Sequence, residues 1–196
     1  EHPVETSQEQ VIRLSAQISN EQEIDTKSIL DQSGIETKLT GITIAAYDRG
    51  GVIRDCRHYT KDFSSMELSV AADITYNIYA LANMGDMTSL MPASESALPE
   101  LSWQLGSYSE IESNGFPMCG KLENLKNKGG RISLDRLFAK FSVRILHTGL
   151  PSTSSQSVFT YNLCNKSIYL RQANTRLFPF SSHGSRALSE SDTAHI

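Results

Sequence analysis

The strongest constraint on the fold of this chain is a period-two alternation of apolar and polar residues in several short segments. In the first of these segments, Ile12, Leu14, Ala16 and Ile18 alternate with polar residues. Successive side chains of a β-strand point to opposite faces, so strict alternation is typical of a strand with one buried face. Residues 12–18 are therefore predicted to form a half-buried strand, although any strand that stays in a core would show the same pattern.

Further predicted strands follow, separated by turn residues. Segments 39–47 and 52–59 flank the run DRGG at 48–51, a strong turn signal, and together predict a β-hairpin. A long alternation over 68–80 predicts one continuous strand whose last residues are buried on both faces. The remaining predicted strands are 132–146, 158–163 and 167–170.

Residues 82–130 are irregular, because Pro and Ser interrupt every pattern there. Ser94 followed by residues 95–105 predicts a short helix with Ser94 as its N-cap and Trp103 on its apolar side. Short strands separated by turns, with one helical insertion, predict an all-β fold of the β-sandwich type.

Composition excludes some classes of function. The 196 residues carry a formal net charge of -4 and show no basic stripe, so nucleic acid is not expected as a partner. No apolar run approaches the roughly 20 residues that span a membrane. Because the first residues show no signal pattern and residues 189–195 are polar, we expect a trimmed chain or a fragment.

The sequence lacks the nucleophile-elbow, zinc-protease and phosphate-loop motifs. Cys56 and His58 share one face of a predicted strand, which leaves open a Cys/His nucleophile, or simply a surface His beside a small residue. Glu110 and Glu112 are a carboxylate pair expected to be solvated. Three cysteines without a close pair indicate neither a disulfide framework nor a metal site, so no cofactor or metal is predicted.

Four segments add a family resemblance. They are LTGITIAAYD at 39–48, ITYNIYALANMGD at 74–86, FPMCG at 116–120 and LDRLFAKFSV at 134–143. In their order and spacing they resemble the fimbrillin family of Bacteroidetes surface pili. The resemblance implies two transthyretin-like β-sandwich domains, of which residues 1–180 would form the N-terminal one and residues 181–196 a linker or the start of a missing second domain.

The resemblance also implies how such a subunit assembles. Family members are exported as lipoproteins, anchored in the outer membrane by a lipid on a leader region that is later removed, and they polymerise by strand exchange after proteolysis. The strand that is given up would here contain Ile12, Leu14, Ala16 and Ile18. The loop behind it, residues 20–34, departs from the family because it contains no Arg, and Lys27 is its only basic residue.

Three functions remain in view. The leading hypothesis is a non-catalytic structural or adhesive subunit of a cell-surface fimbria whose partners are other pilin subunits. The alternative is a surface module on the same sandwich that binds carbohydrates or host ligands through the irregular region containing Trp103, Tyr108 and Phe116. The third is an enzyme that uses Cys56 and His58.

Overall fold

A computed structural model describes residues 9–19, 34–126, 129–137, 173–174, 176–181 and 193–194. The strands are β1 (Glu9–Ile18), β2 (Ile42–Asp48), β3 (Ile53–Tyr59), β4 (Met66–Ala71), β5 (Tyr76–Ala82), β6 (Trp103–Gln104), β7 (Met118–Leu125), β8 (Gly129–Arg136), β9 (Ala173–Asn174), β10 (Arg176–Leu177) and β11 (Thr193–Ala194). The helical elements are the 3-10 helices Ile35–Thr37 and Glu95–Glu100 and the α-helix α1 (Tyr108–Asn114).

The first five strands, β7 and β8 form one seven-stranded sheet in the order β3-β2-β5-β7-β8-β1-β4. Neighbours are antiparallel except β1 and β8, which run parallel. The sheet curls nearly into a barrel, while β6 pairs with β10 and β9 pairs with β11 in two small sheets. The all-β prediction is confirmed, and a transthyretin-like arrangement stays a prediction.

The curl encloses the main core. Six of the seven strands send alternate apolar side chains into it, and all of these side chains are buried. Its members are Ile12, Leu14, Ile42, Ile44, Ala46, Met66, Leu68, Val70, Tyr76, Ile78, Ala80, Ala82, Met118, Ile132 and Leu134. Burial of one face along each strand is what the period-two pattern requires.

A second cluster covers the outer face of β2 and β5. Tyr47, Tyr79 and Leu81 point outward from these strands and pack under the segment that follows β5, with Met87 and Leu98 above them. The two strands are therefore buried on both faces, as the sequence predicted for the end of the 68–80 segment. Residues 84–101 thus form a cover for the sheet, because they supply the apolar side chains that its outer face requires.

The predicted hairpin is confirmed as β2 and β3, which pair antiparallel across the 48–51 turn. The single strand predicted over 68–80 is wrong, because β4 ends at Ala71 and β5 begins at Tyr76. Asp73 adopts a left-handed backbone with φ 60°, which an extended strand does not allow. Ile74, predicted to be buried, is consequently 38% exposed.

The helix predicted over 95–105 is also wrong in kind and length. A 3-10 helix covers only Glu95–Glu100 and contains Pro99, and Trp103 lies in β6 rather than on a helix. Ser94 precedes the helix, but its Oγ lies 2.9 Å from Ser96 Oγ and does not cap it. The strand predicted over 132–146 begins earlier, at Gly129. Its part beyond residue 137 and the strands predicted at 158–163 and 167–170 lie outside the described residues.

Candidate assembly site: the first strand and its slot

β1 lies inside the sheet, between β8 and the edge strand β4. Its first half pairs antiparallel with β4, from Glu9 opposite Ala71 to Leu14 opposite Met66. Its second half pairs parallel with β8, from Arg13 opposite Gly129 to Ile18 opposite Leu134. We call the space that β1 fills between these two strands the β1 slot. The first strand of the described residues is therefore an internal strand, hydrogen-bonded on both sides.

The four residues predicted to form the buried face of β1 all point into the main core. Ile12 is 0% and Leu14 is 1% exposed, and Ala16 and Ile18 are partly buried against the same cluster. Full burial of an aliphatic side chain contributes about 1.5–3 kcal/mol. Ile12 and Leu14 alone therefore contribute about 3–6 kcal/mol, a large share of the roughly 5–15 kcal/mol that stabilises a typical domain.

The outer face of β1 is mainly polar, and two of its side chains favour the observed register. Arg13 Nε donates to Glu67 Oε1 at 2.9 Å, across the ladder to β4. On the other side, Arg131 Nη1 donates to Gln17 Oε1 at 3.2 Å, across the ladder to β8. Both contacts are exposed, so each contributes little energy. Their placement still favours one alignment of β1 over a shifted one.

The ladder with β8 starts at two glycines, Gly129 and Gly130. A Cβ on Gly129 would fall 2.7 Å from the carbonyl oxygen of Arg13, which is too close for any real side chain. A Cβ on Gly130 would fall 2.5 Å from Leu122 Cδ2, so this glycine leaves room for a side chain of β7. The two glycines therefore begin β8, and Gly129 allows β1 to approach it, where the sequence pattern suggested only the end of an irregular region.

β1 also carries a poorly satisfied residue on its inward-facing side. Gln10 lies two residues before Ile12 and pairs with Val70 of β4. Its Nε2 is buried and has no hydrogen-bond partner in the described part of the chain. A buried donor without an acceptor costs about 1–3 kcal/mol. β1 is thus held strongly at Ile12 and Leu14 but weakly near its start.

Lys27, the predicted processing-loop residue, lies outside the described residues, as does the whole of 20–33. The ends of this segment are described. Ser19 N–H donates to the Leu134 carbonyl at 2.9 Å at the end of β1. At the other end of the segment, Gly34 immediately precedes the 3-10 helix Ile35–Thr37. Lys27 therefore stays a prediction.

The surroundings of Cys56 and His58 do not favour the Cys/His nucleophile considered from the sequence. Burial, with smaller effects from Asp55 and Asp86, raises the pKa of Cys56 to about 11, so the thiol stays protonated near neutral pH. His58 Nδ1 lies 2.9 Å from Thr43 Oγ1. The imidazole is thereby engaged with a hydroxyl of the neighbouring strand.

The other side chains singled out from the sequence have structural surroundings. Trp103 packs against the second cluster, and its Nε1 donates to the Met84 carbonyl at 3.1 Å. Its ring is therefore not free to stack on a ligand. Phe116 is partly buried, and its carbonyl accepts a bond from Asn83 Nδ2 at 2.8 Å. Glu110 and Glu112 lie on helix α1, where Glu112 is exposed as expected, but Glu110 is half-buried and accepts a hydrogen bond from the Gly106 N–H at 3.3 Å.

A cavity of about 380 Å³ lies on the outer face of the sheet, away from the β1 slot. Its polar walls include Glu95, Lys121 and Asp135, and its apolar walls include Tyr79 and Phe180. Glu95 Oε1 accepts hydrogen bonds from Tyr79 Oη at 2.6 Å and from Asn77 at 2.9 Å. Among the described residues no three His, Cys, Asp or Glu side chains converge as metal ligands. No helix in the described ranges has the length and apolarity needed to cross a bilayer.

The four sequence segments that resemble fimbrillins fall on neighbouring strands. Segment 39–48 contains β2, 74–86 contains β5, 116–120 begins β7, and 134–143 contains the end of β8. These strands are consecutive in the sheet, in the order β2-β5-β7-β8. The segments are distant in sequence, but they form one continuous half of the sheet.

No protein-family model matches the sequence, and no curated protein matches it. Solved structures similar to it include a fimbrial assembly protein from Parabacteroides distasonis, at 14% identity and a TM-score of 0.41 over 66% of this chain and 54% of the other. The tip fimbrial protein Mfa3 from Porphyromonas gingivalis matches at 13% identity and a TM-score of 0.43, over 66% and 48%.

A fimbrilin from Porphyromonas gingivalis matches at 14% identity and a TM-score of 0.42, over 64% of this chain and 40% of the other. This chain spans 40% to 54% of the length of these three proteins. Bacteroidetes fimbrial proteins are thus among the solved structures to which the chain is similar, in agreement with the resemblance found in the sequence.

Proposed function

We propose that this chain is a non-catalytic structural or adhesive subunit of a bacterial cell-surface fimbria, and that subunits join by strand exchange, in which β1 leaves its slot and a strand of another subunit takes its place. The single observation that carries the proposal is the position of β1. It is the first strand of the described chain, it lies inside the sheet, and its removal opens a slot bounded by two hydrogen-bonding strands.

The slot is suited to receive a strand because β1 supplies two things that the rest of the fold lacks. One is the apolar surface of Ile12 and Leu14, which fills the main core. The other is the main-chain ladder to β4 and β8. A strand from another subunit supplies both at once, which is the physical basis of β-strand addition. Losing β1 without such a replacement would cost much of the domain's stability.

Place and anchoring follow from the same proposal. The three proteins named above are described as fimbrial proteins. For this chain we infer a location at the cell surface. Attachment to the outer membrane through a lipid on a removed leader region belongs to the proposal as well. A two-domain subunit is also part of the proposal. Residues 1–180 would form its N-terminal domain, and strand exchange would join the subunit to other pilin subunits.

The test is to cut the loop behind β1 and follow the state of association. A lysine-specific protease under native conditions is expected to cut at Lys27, after which sedimentation should show assemblies that grow with protein concentration. The Lys27→Gln chain, treated alike, should stay monomeric. A cut chain that keeps β1 bound and stays monomeric at every concentration would refute assembly by strand exchange, and would mean that β1 is an ordinary core strand.

A ligand-binding module is the second candidate, and the cavity near Lys121 favours it. A carboxylate, an ammonium group and an aromatic ring meet there, which are groups that bind sugar hydroxyls and rings. Glycan-array binding that Lys121→Ala abolishes and Trp103→Ala leaves intact would support this function at the cavity. Binding that neither variant changes would place the ligand elsewhere, and an array without any signal would count against the module.

A further inference from the structure

The two edge strands of the sheet, β3 and β4, are held together by side chains. They are the first and last strands in the sheet order, and the curl brings them side by side. Both lie wholly within the described residues 34–126, and no backbone ladder joins them there. Asp55, Arg57 and Tyr59 of β3 reach across to β4 in its place. We call these three residues and their β4 partners the β3–β4 seam.

The Tyr59 hydroxyl makes the central contact of the seam. It accepts a hydrogen bond from the Glu67 backbone N–H at 2.9 Å and donates one to the Glu67 carbonyl at 2.5 Å. One hydroxyl thus satisfies both backbone groups of a residue on the edge strand. The ring packs against the main core, which fixes the position from which the hydroxyl acts.

Asp55 and Arg57 make the second contact, with Ser69, which lies two residues beyond Glu67 on β4. Asp55 Oδ2 accepts the Ser69 backbone N–H at 2.7 Å, and Arg57 Nη2 donates to Ser69 Oγ at 2.9 Å. Arg57 Nε also donates to Asp55 Oδ2 at 3.0 Å, which holds the two side chains together. The seam therefore covers two alternate residues, Glu67 and Ser69.

The directions of the β4 backbone groups determine how the seam affects the β1 slot. Backbone groups of successive strand residues point to opposite sides, so those of Glu67 and Ser69 point away from β1 while those of Leu68 and Val70 point toward it. The seam holds β4 from the side that β1 does not touch. β4 is fixed at its end as well, because Tyr76 Oη donates to the Ala71 carbonyl at 3.0 Å.

We propose that the seam positions β4 as the fixed wall of the β1 slot, so that the slot keeps its width and register after β1 leaves. This inference depends on the proposed strand exchange. Asp55, Arg57 and Tyr59 are positioning residues, since they act on the incoming strand only through β4. By occupying both backbone groups of Glu67 and the N–H of Ser69 they also hinder pairing of that edge with another chain, so the incoming strand is directed to the slot.

The test uses Tyr59→Phe, which removes the hydroxyl and leaves the ring, and Asp55→Ala as a second seam variant. Tyr47→Phe is the matched control, because the Tyr47 hydroxyl also donates to a backbone carbonyl, that of Pro92 at 2.7 Å, but does not touch β4. In the intact chain, hydrogen exchange of the Glu67 amide should accelerate about tenfold in Tyr59→Phe and remain unchanged in Tyr47→Phe. Asp55→Ala should accelerate exchange of the Ser69 amide by a similar factor.

The second measurement is capture of a labelled peptide of residues 9–19 by the chain cut at Lys27. Capture should be about tenfold weaker for Tyr59→Phe than for the unsubstituted chain, and equal to it for Tyr47→Phe. Equal capture by Tyr59→Phe, or an unchanged Glu67 amide in the intact chain, would overturn the role of the seam alone. Capture by none of the cut chains would overturn the proposed strand exchange, and with it the positioning role.

Discussion

Shortening Leu14 to Ala separates the contribution of the β1 core face from that of its backbone ladder. Leu14 is 1% exposed and lies where β1 changes neighbours, opposite Met66 of β4 and Gly130 of β8. The side chains of Leu122 and Leu125 lie over Gly130 beside Leu14, so they can fill part of the gap. Leu-to-Ala changes at buried sites cost about 2–5 kcal/mol, with the larger values where the site does not collapse.

The same loss should appear in two assays. Urea unfolding of the intact chain measures it directly, as a lower midpoint with an unchanged slope. In the chain cut at Lys27, the same loss weakens the binding of β1 to its slot, and each 1.4 kcal/mol weakens that binding tenfold. Release of the 1–27 fragment that carries β1 on dilution, followed by mass spectrometry, should therefore be roughly 30- to 4,000-fold faster.

Val11→Ala is the matched control, because Val11 is the neighbouring apolar residue of β1 on its outer face and is 45% exposed. Its effect should stay within about 0.5 kcal/mol, and the fragment should leave at nearly the unsubstituted rate. If both variants release β1 at the same rate, the buried face does not hold the strand, and the reasoning from Ile12 and Leu14 is refuted.

Three further predictions concern β1 and one thiol. Gln10→Met removes the unsatisfied buried amide and should stabilise the chain by about 1–3 kcal/mol and slow release of β1, whereas Gln17→Met on the outer face should do neither in urea unfolding or fragment release. Gly129→Ala places a Cβ 2.7 Å from the Arg13 carbonyl oxygen, so the β1 amides should exchange faster in the folded chain; unchanged exchange would contradict the close approach. Cys56, with its pKa raised to about 11, should be alkylated slowly at pH 8 in the folded chain and quickly in urea, and equal rates would show that burial does not protect it.

Local alternation was enough to predict β1 and the β2–β3 hairpin, because each depends on residues close in sequence. It could not reveal the neighbours of β1, since the partners Glu67 and Gly129 are far along the chain. The break between β4 and β5 was missed for a related reason. Val70 before the turn and Tyr76 after it both point into the main core, so the alternation continues across Asp73 without a change of phase.

The site was predicted in part. Ile12, Leu14, Ala16 and Ile18 face the main core as the pattern required, but the weak point at Gln10 depends on what surrounds its amide. Trp103 was assigned to a helix although Pro99 within the same segment was a signal that a regular helix would end there. The seam had no local signal, because the role of Tyr59 follows from the curl that brings β3 beside β4.

The central claim is that β1 can leave its slot and that a strand of another molecule can take its place, and an intermolecular disulfide tests it most directly. Val11 lies opposite Ser69 in the ladder between β1 and β4, and directly opposed residues of antiparallel strands are close enough for a disulfide. A chain with both Val11→Cys and Ser69→Cys should form the bond internally, which confirms the register. Chains that carry one change each are then mixed, cut at Lys27 and oxidised. We predict a disulfide mapped between position 11 of one chain and position 69 of the other, which the uncut mixture does not form. Folded, cut chains that never form this bond would contradict the account.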